Sequence, residues 1–376
     1  MTYLRALLMR IATAGRLLLS GVRSQWRLSL VLIPIAVLAL ALAGYGWWWR
    51  FLADRVRESA VQLQASQIAL GRNLEWNSFE ISGFPYLVDT SITKARLMAP
   101  DLGVVWDGEK LNIRLRPFSL NKVAVSLEGV QHVFYVGDGR WIEADAEADK
   151  ALLKVSGRDG VQKLSVDIER LTGKGRLDAS DFNFILESAS LAAVLAPADT
   201  HSPLPRVDLG AHVSNVGLQG NLDFPLGPTI EKFDIDVGFQ LPAKLPISSS
   251  QALWSAWRKT DTPIDVREFA FEWGGISVAA VGTLKVDASE RPEGRLKLTL
   301  GNHSRILELL ENGGWITKET HAAAKPVLDV LSFVSGDPRR RITVPLKFEN
   351  GDVYLGPARI MTIQPQASAS IPDFVP

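Results

Sequence analysis

The chain has 376 residues, of which 47% are hydrophobic and 22% are charged. Its 41 basic and 41 acidic residues give a formal net charge of zero. This balance excludes the strongly basic profile of a general nucleic-acid binder, so we expect no nucleic-acid partner. The chain contains no cysteine, which excludes a disulfide scaffold, a thiol nucleophile and a cysteine-ligated metal site.

The first predicted element in chain order is a membrane anchor. Residues 28–49 contain no charged side chain, and this stretch is long enough for a helix to cross a hydrocarbon core of about 30 Å. Tyr45 and the tryptophans that follow it form an aromatic belt typical of a membrane interface. Arginines but no acidic residues precede the span, so the positive-inside rule places the N-terminus in the cytoplasm. The residues assigned to the anchor are Leu28, Leu32, Ile35, Leu38, Leu42, Trp47, Trp48 and Trp49.

A cleaved signal peptide is the alternative interpretation of the same stretch, since Ala41 and Ala43 resemble a cleavage site. The apolar stretch is long for a signal core, and cleavage would leave the tryptophan triplet at a free end. We therefore favour a retained anchor. The predicted segments are a basic cytoplasmic segment over 1–27, a transmembrane helix over 28–49, a juxtamembrane helix over 50–71, a β-rich domain over 72–365 and a flexible tail over 366–376.

Beyond residue 72 the hydrophobic pattern has a period of two, which is typical of strands with one apolar and one polar face. The clearest stretches are 111–115, 123–127, 164–168, 233–241, 296–300 and 342–348. Turns are predicted at 137–139, at 158–160 and at Asn350-Gly351. A proline-rich stretch at 196–206 is a possible sub-boundary.

The predicted fold class is mainly β, with long antiparallel, curled sheets that form a groove, a sandwich or an open barrel. A few helices are expected to cap the sheet, at 250–259, at 304–312 before Gly313-Gly314, and at 318–334 with Pro326 kinking or restarting the helix.

The sequence contains no signature of a known catalytic or nucleotide-binding site. The five histidines are dispersed and form no metal-binding pair. We therefore predict no catalytic residues, no metal and no cofactor, and interpret the protein as a non-enzyme. A hydrolase that sequence patterns do not reveal is the remaining enzyme alternative.

Two charged runs and the tryptophans allow more than one interpretation. The acidic side chains of Glu143, Asp145, Glu147 and Asp149 would share one strand face at a pitch of roughly 6.6 Å, too extended to hold one calcium ion, so we expect a solvated face that protects a sheet edge. We expect the run at 339–341 to lie at a hairpin or loop tip rather than at a phosphate site. We favour core packing over ligand lining for the tryptophans, which are Trp76, Trp106, Trp141, Trp254, Trp257, Trp273 and Trp315.

Three segments together resemble the uncharacterised bacterial family catalogued as domain of unknown function 2125. They are 74–88, 269–286 and 344–356, and their distinctive residues are Gly83, Phe84, Pro85, Tyr86, Gly351 and Gly356. That family is similar in pattern to AsmA-like envelope proteins. The resemblance implies a β-rich periplasmic body on a single-pass inner-membrane anchor, with an apolar groove associated with lipid handling.

The first functional hypothesis is a lipid-binding or lipid-shielding role in cell-envelope maintenance, with membrane lipid as the groove ligand. The alternative is an envelope scaffold or assembly protein that contacts other envelope proteins through sheet edges or an aromatic surface. The sequence does not indicate an oligomeric state.

Overall fold

The computed structural model describes residues 2–137, 139–157, 161–198, 204–220, 224, 226–241, 262–287, 291–314, 316–334, 341–356 and 358–363. Within these residues the chain forms three α-helices and one unclosed antiparallel sheet. The predicted class, mainly β with a long antiparallel sheet, an N-terminal apolar helix and short capping helices, is confirmed.

The helices lie at the beginning of the chain and close to its end. Helix α1 covers Thr2–Ala69 and runs through Pro34, so the basic segment, the predicted span and the juxtamembrane helix are one continuous helix. Helix α2 covers His303–Asn312 and is followed by Gly313 and Gly314, as predicted. Helix α3 covers Lys318–Val334 and continues through Pro326.

The strands follow one another in the sheet almost in chain order, from β3 to β16, with β1 and β2 both paired to the outer edge of β3. Their bounds are β1 Asn73–Glu75, β2 Ser78–Ser82, β3 Val88–Ala99, β4 Val104–Arg116, β5 Ser119–Gly137, β6 Arg140–Ser156, β7 Lys163–Leu177, β8 Ser180–Ala196, β9 Arg206–Gly220, β10 Thr229–Gln240, β11 Ile264–Trp273, β12 Ile276–Val286, β13 Pro292–Gly301, β14 Ile342–Glu349, β15 Asp352–Leu355 and β16 Ala358–Thr362. All six predicted alternating stretches lie in these strands, except that Leu241 follows the end of β10. Strands β8 and β9, on either side of the proline-rich stretch, pair with each other.

The strand register places apolar side chains on one face of the sheet across most of its width. Residues that are directly paired across neighbouring strands lie on the same face, and one such row is apolar in every strand from β4 to β14. Its members are Ile113, Val125, Leu153, Val166, Leu191, Ala211, Ile235, Phe269, Ala280, Leu298 and Val344. We call the face that carries this row the apolar face and the opposite one the polar face.

Backbone irregularities in the middle of several strands form a line across the sheet, which we call the transverse line. At this line the alternation of side chains shifts by one residue. Lys94, Arg170 and Asn215 have φ of 49°, 48° and 49° in the middle of β3, β7 and β9. In β3 the buried positions change there from even to odd residue numbers. An irregular residue of this kind lets two consecutive side chains point to the same side, so the pattern shifts by one residue while the apolar side stays the same.

Helices cover the apolar face at both ends of the sheet. Helix α1 contacts β1 and β3, where Val88 and Ile92 are buried. At the other end, Leu307 of α2 and Leu328 of α3 form a buried cluster with Leu300 and Ile342 of the sheet. The prediction that short helices cap the sheet is confirmed here.

Several predictions need correction or lie outside the described residues. The acidic run on β6 does not protect a sheet edge, because β6 is paired on both sides, with β5 and β7. The turn at Asn350-Gly351 is confirmed, with positive φ at both residues. The turn at 158–160, the helix at 250–259, Trp254, Trp257, Trp315, residues 339–340 and the tail at 366–376 lie outside the described residues.

Candidate functional site

A broad apolar surface lies in the middle of the described sheet. It is the apolar face from β4 to β11, which we call the central apolar face. Among the described residues, no hydrophobic side chain in these strands is buried. Leu191 is 45% exposed, Tyr135 is 38% exposed and Val133 is 36% exposed. The buried hydrophobic residues lie instead in α1, β3, α2, α3 and β12–β15, apart from Leu226 between β9 and β10.

The size of this surface sets it apart from ordinary exposed side chains. Eight strands spaced by about 4.8 Å span about 34 Å, and ten residues of strand extend about 33 Å, so the central apolar face covers on the order of 1,000 Å². Soluble monomers rarely expose contiguous apolar patches above a few hundred Å². A patch of this size indicates contact with an apolar ligand, a partner or a membrane.

The polar face carries a network of cross-strand ion pairs. Asp149 pairs with Arg170 at 3.1 Å, and the adjacent Lys150 pairs with Glu169. Two consecutive side chains of each strand therefore point to the same side, which confirms the local shift at the transverse line. The same holds between β8 and β9, where Glu187 bonds Asn215 and Ser188 bonds Ser214.

The acidic run on β6 is part of this network. His132 Nδ1 lies 2.8 Å from Asp145 Oδ1, and Lys174 Nζ lies 3.4 Å from Asp145 Oδ2. The hydrogen bond to His132, together with Lys174, holds the pKa of the Asp145 carboxyl below its usual range. The expected solvated face is thus a face of paired charges, and no group of three acidic or histidine side chains among the described residues is arranged to hold a metal ion.

Asp234 on β10 is the most enclosed carboxylate of this network. Its side chain is 12% exposed, and Lys232 Nζ lies 2.5 Å from Asp234 Oδ2. Burial favours the neutral carboxyl, but hydrogen bonds from Lys232 and His212 hold the pKa of Asp234 below its usual range. The charges of Asp234, Lys232 and His212 therefore compensate one another and link β9 to β10 on the polar face.

Helix α1 connects this sheet to a segment suited to a membrane. The described part contains one helical segment long and apolar enough to cross a bilayer, Pro34–Ala69, close to the N-terminus. The anchor positions Ile35, Leu38 and Leu42 are 55%, 59% and 61% exposed. Contact with the sheet domain begins at Tyr45, which is the start of the predicted aromatic belt.

The family-motif loop meets the helix at this level. Tyr45 donates a hydrogen bond to the carbonyl of Pro85, and Trp49 Nε1 donates to the carbonyl of Leu87 at 2.8 Å. The ring of Phe84 packs edge-on against Trp49, with centroids 5.6 Å apart. The aromatic belt therefore fixes the loop between β2 and β3 against α1.

A second loop completes the aromatic surface at this end. The ring of Phe118, between β4 and β5, stacks on Tyr45 at 5.6 Å, yet Phe118 is 80% exposed. Phe84 is 57% exposed and Tyr86 is 83% exposed. We call Phe84, Tyr86 and Phe118 the aromatic rim. Its position beside α1 places it level with the start of the predicted interfacial belt.

The motif glycines have structural roles. Gly83 has φ of 95°, and a Cβ there would come within 2.9 Å of the Leu87 carbonyl oxygen, so only glycine fits the tight loop. Gly351 follows Asn350 in the β14–β15 turn, and Gly356 has φ of 59° in the β15–β16 turn. The backbone conformation of these glycines shapes the loop before β3 and the two turns that flank β15.

Sequence reasoning located the apolar helix, the strands and the motif loop, but it missed the contact between the helix and the loop. Phe118 was not singled out, because one aromatic residue in a turn carries no signal of its contact with Tyr45. The transverse line did leave a signal, since the charged pairs Asp149-Lys150 and Glu169-Arg170 interrupt the alternation. The described tryptophans Trp76, Trp106, Trp141 and Trp273 are all half-buried.

Comparison with known proteins identifies a family but no characterised relative. The sequence profile of a family described as "Uncharacterized protein conserved in bacteria (DUF2125)" matches residues 49–364. No curated protein and no solved structure matches the chain significantly. The matched range begins at Trp49, within the contact between α1 and the motif loop, and includes that loop and every described strand of the sheet.

Proposed function

The chain belongs to the uncharacterized bacterial family DUF2125, and on this premise we propose that it is an inner-membrane protein whose periplasmic sheet binds or shields lipid during maintenance of the cell envelope. The observation that supports the proposal is the row of paired apolar side chains from Ile113 to Val344, whose central members no described helix covers. The AsmA-like character suggested by sequence belongs to the same proposal.

Lipid suits this surface better than a folded partner would. Acyl chains have no hydrogen-bonding groups, so they can lie along an apolar face of variable side-chain size without leaving polar atoms unpaired. The strands are held from the other face by ion pairs such as Asp149–Arg170, so the sheet does not need a second layer to maintain its register. The proposed role is therefore non-enzymatic and needs no cofactor.

The proposed topology follows from the anchor. Arginines precede the apolar segment and mixed charges follow it, which favours a cytoplasmic N-terminus and a periplasmic sheet. The contact of Tyr45 and Trp49 with the motif loop would hold the first strands of the sheet beside the bilayer surface.

Site-specific photocrosslinking in cells tests the lipid role. A benzophenone amino acid would replace Leu191, which is 45% exposed on the apolar face, or Ile185, which is 49% exposed on the polar face of the same strand. We expect lipid adducts at position 191 and at most one tenth as much at position 185. Equal labelling at both positions, or no lipid at either, would contradict the proposal.

The same experiment separates the scaffold alternative. Capture of one discrete protein at position 191, in place of lipid, would show that the central apolar face is a protein interface. A Leu191→Glu variant sharpens the result, because a charge on this face should reduce lipid adducts formed from a neighbouring benzophenone position, whereas Ile185→Glu should not.

A further inference from the structure

A cleft next to the aromatic rim is lined by an excess of positively charged side chains. It has a volume of about 730 Å³, and its lining includes Arg114, Arg116, Lys122, Lys154 and Lys163 but no acidic residue. A chain with equal numbers of basic and acidic residues has no general excess of cations, so this concentration is local. We call these five residues and the space between them the basic cleft.

Two of the five cations are neutralised and three are not. Arg114 pairs with Asp89 at 3.4 Å, and Lys154 pairs with Asp167 at 2.9 Å. Arg116, Lys122 and Lys163 are exposed and make no side-chain hydrogen bond or ion pair with another described residue. Elsewhere on the polar face, the cleft between β6 and β9 places Glu143, Asp145 and Asp181 among its basic residues, so its charges cancel.

The basic cleft lies at the end of the sheet that meets the anchor. Leu87 lines the cleft, and the carbonyl of Leu87 accepts the hydrogen bond from Trp49 Nε1. Arg116 and Ser119 flank the turn that carries Phe118 of the aromatic rim. Unpaired cations and exposed aromatic rings therefore occur together at one end of the molecule.

We propose that the basic cleft binds the phosphate headgroup of an anionic phospholipid in the leaflet from which α1 emerges. Arg116, Lys122 and Lys163 supply the positive charge, and Ser119, Ser156 and Ser165, which also line the cleft, supply hydroxyl donors. The volume is in the range of small-molecule sites, roughly 300–1,000 Å³. Phe84, Tyr86 and Phe118 occupy the interface beside the bound headgroup, as aromatic side chains do at membrane surfaces.

The inference rests on the proposed membrane location of α1, but not on the proposed lipid-binding role of the central apolar face. The two sites lie on opposite faces of the sheet. Headgroup binding would hold the first strands against the bilayer, so that the central apolar face begins at the membrane surface.

Native mass spectrometry of the full chain in detergent tests this site. The probes are phosphatidylglycerol and phosphatidylcholine at equal concentration, and the variant is Arg116→Gln combined with Lys122→Gln and Lys163→Gln. We expect the wild type to prefer phosphatidylglycerol by at least about tenfold and the variant to bind both lipids equally, since each basic residue near an anionic surface contributes about fivefold to binding. The matched control removes three exposed cations outside the cleft, Arg295→Gln, Lys297→Gln and Lys325→Gln, and should keep the preference.

Each other outcome overturns the proposal in a distinct way. Equal binding of both lipids by the wild type shows that the cleft does not select an anionic headgroup. An equal loss of preference in the control variant shows a general charge effect. Displacement of phosphatidylglycerol by millimolar inorganic phosphate assigns the cleft to free phosphate. None of these results alters crosslinking at position 191, so failure of this site and failure of the proposed function are distinguishable.

Discussion

The two covered ends of the apolar face differ from its centre in what lies on them, not in their sequence pattern. At the α2–α3 end, Ile342 is 1% exposed and Leu300 is 6% exposed. In the centre, Leu191 occupies an equivalent alternating position and is 45% exposed. The alternation therefore determines which side chains are apolar on one face, whereas the neighbouring helices determine whether that face is a core or a surface.

In the centre of the sheet, the strands are linked by ion pairs on the polar face. Its strands are cross-linked on the polar face by pairs such as Lys154–Asp167 at 2.9 Å and Arg267–Asp236 at 2.5 Å. Each exposed ion pair contributes little to stability. The backbone hydrogen bonds between the long paired strands add to the stability of the sheet. The described strands of the centre therefore keep their register although none of their hydrophobic side chains is buried.

The largest expected effect comes from truncating one apolar side chain at the covered end and one in the centre of the apolar face. Ile342→Ala should lower the free energy of unfolding by about 3 kcal/mol, since it removes a buried side chain and leaves a cavity. Leu191→Ala should cost less than about 1 kcal/mol in the absence of lipid. Urea unfolding of the full chain in detergent measures both. Equal costs would break the distinction between covered end and exposed centre.

A smaller effect is expected from the polar face. Asp234→Asn should lower the free energy of unfolding by about 2 kcal/mol, because Lys232 and His212 lose their carboxylate partner. The folded-state pKa of Asp234 is depressed, so its stabilisation is present above the unfolded-state pKa of about 3.9 and is lost as pH falls through the folded value. The wild type should accordingly lose more stability on acidification than the variant. Parallel acid titrations of unfolding would contradict this account.

At the α1 end, Gly83→Ala should cost about 1–2 kcal/mol. Alanine is strained at a positive φ, and its Cβ would approach the Leu87 carbonyl that Trp49 binds. Tryptophan fluorescence and thermal unfolding would report the disturbed contact. Gly139→Ala is a matched control, because Gly139 also has a positive φ, of 74°, but a Cβ added there would have no atom within 4 Å. It should keep the Trp49 contact.

The smallest expected effect concerns the hydrogen bond from Tyr45 to the Pro85 carbonyl. Tyr45→Phe should cost about 0.5–1.5 kcal/mol, since the ring can still stack on Phe118 while the carbonyl loses its donor. Thermal unfolding of the full chain measures the difference. No change at all would mean that the ring packing and the hydrogen bond from Trp49 hold the motif loop without the Tyr45 hydroxyl.

Much of the fold was predictable because strand alternation is local. The six alternating stretches, the helix before Gly313-Gly314 and the turn at Asn350-Gly351 were all found from nearby residues. The acidic run on β6 was misjudged as protecting an edge, because sequence shows which residues share a face but not which strands flank them. Its partner Lys174 lies on the next strand, at a register that pairing determines.

The sequence predicted the separate segments of the candidate site but not the contacts between them. The anchor and the motif loop could be named separately, but the bonds from Tyr45 and Trp49 to that loop join residues about 40 positions apart. The basic cleft combines the ends of β4 and β6 with the beginnings of β5 and β7. Cations that far apart in sequence give no local pattern.

The sequence by itself determined an apolar helix, a strand-rich body and one apolar face along each strand, because these follow from side-chain periodicity over a few residues. Only the tertiary structure decided that the strands form a single open sheet, that helices cover its two ends and that no described helix covers its centre. Pairing and coverage depend on contacts between distant segments, and local periodicity carries no information about which segments meet.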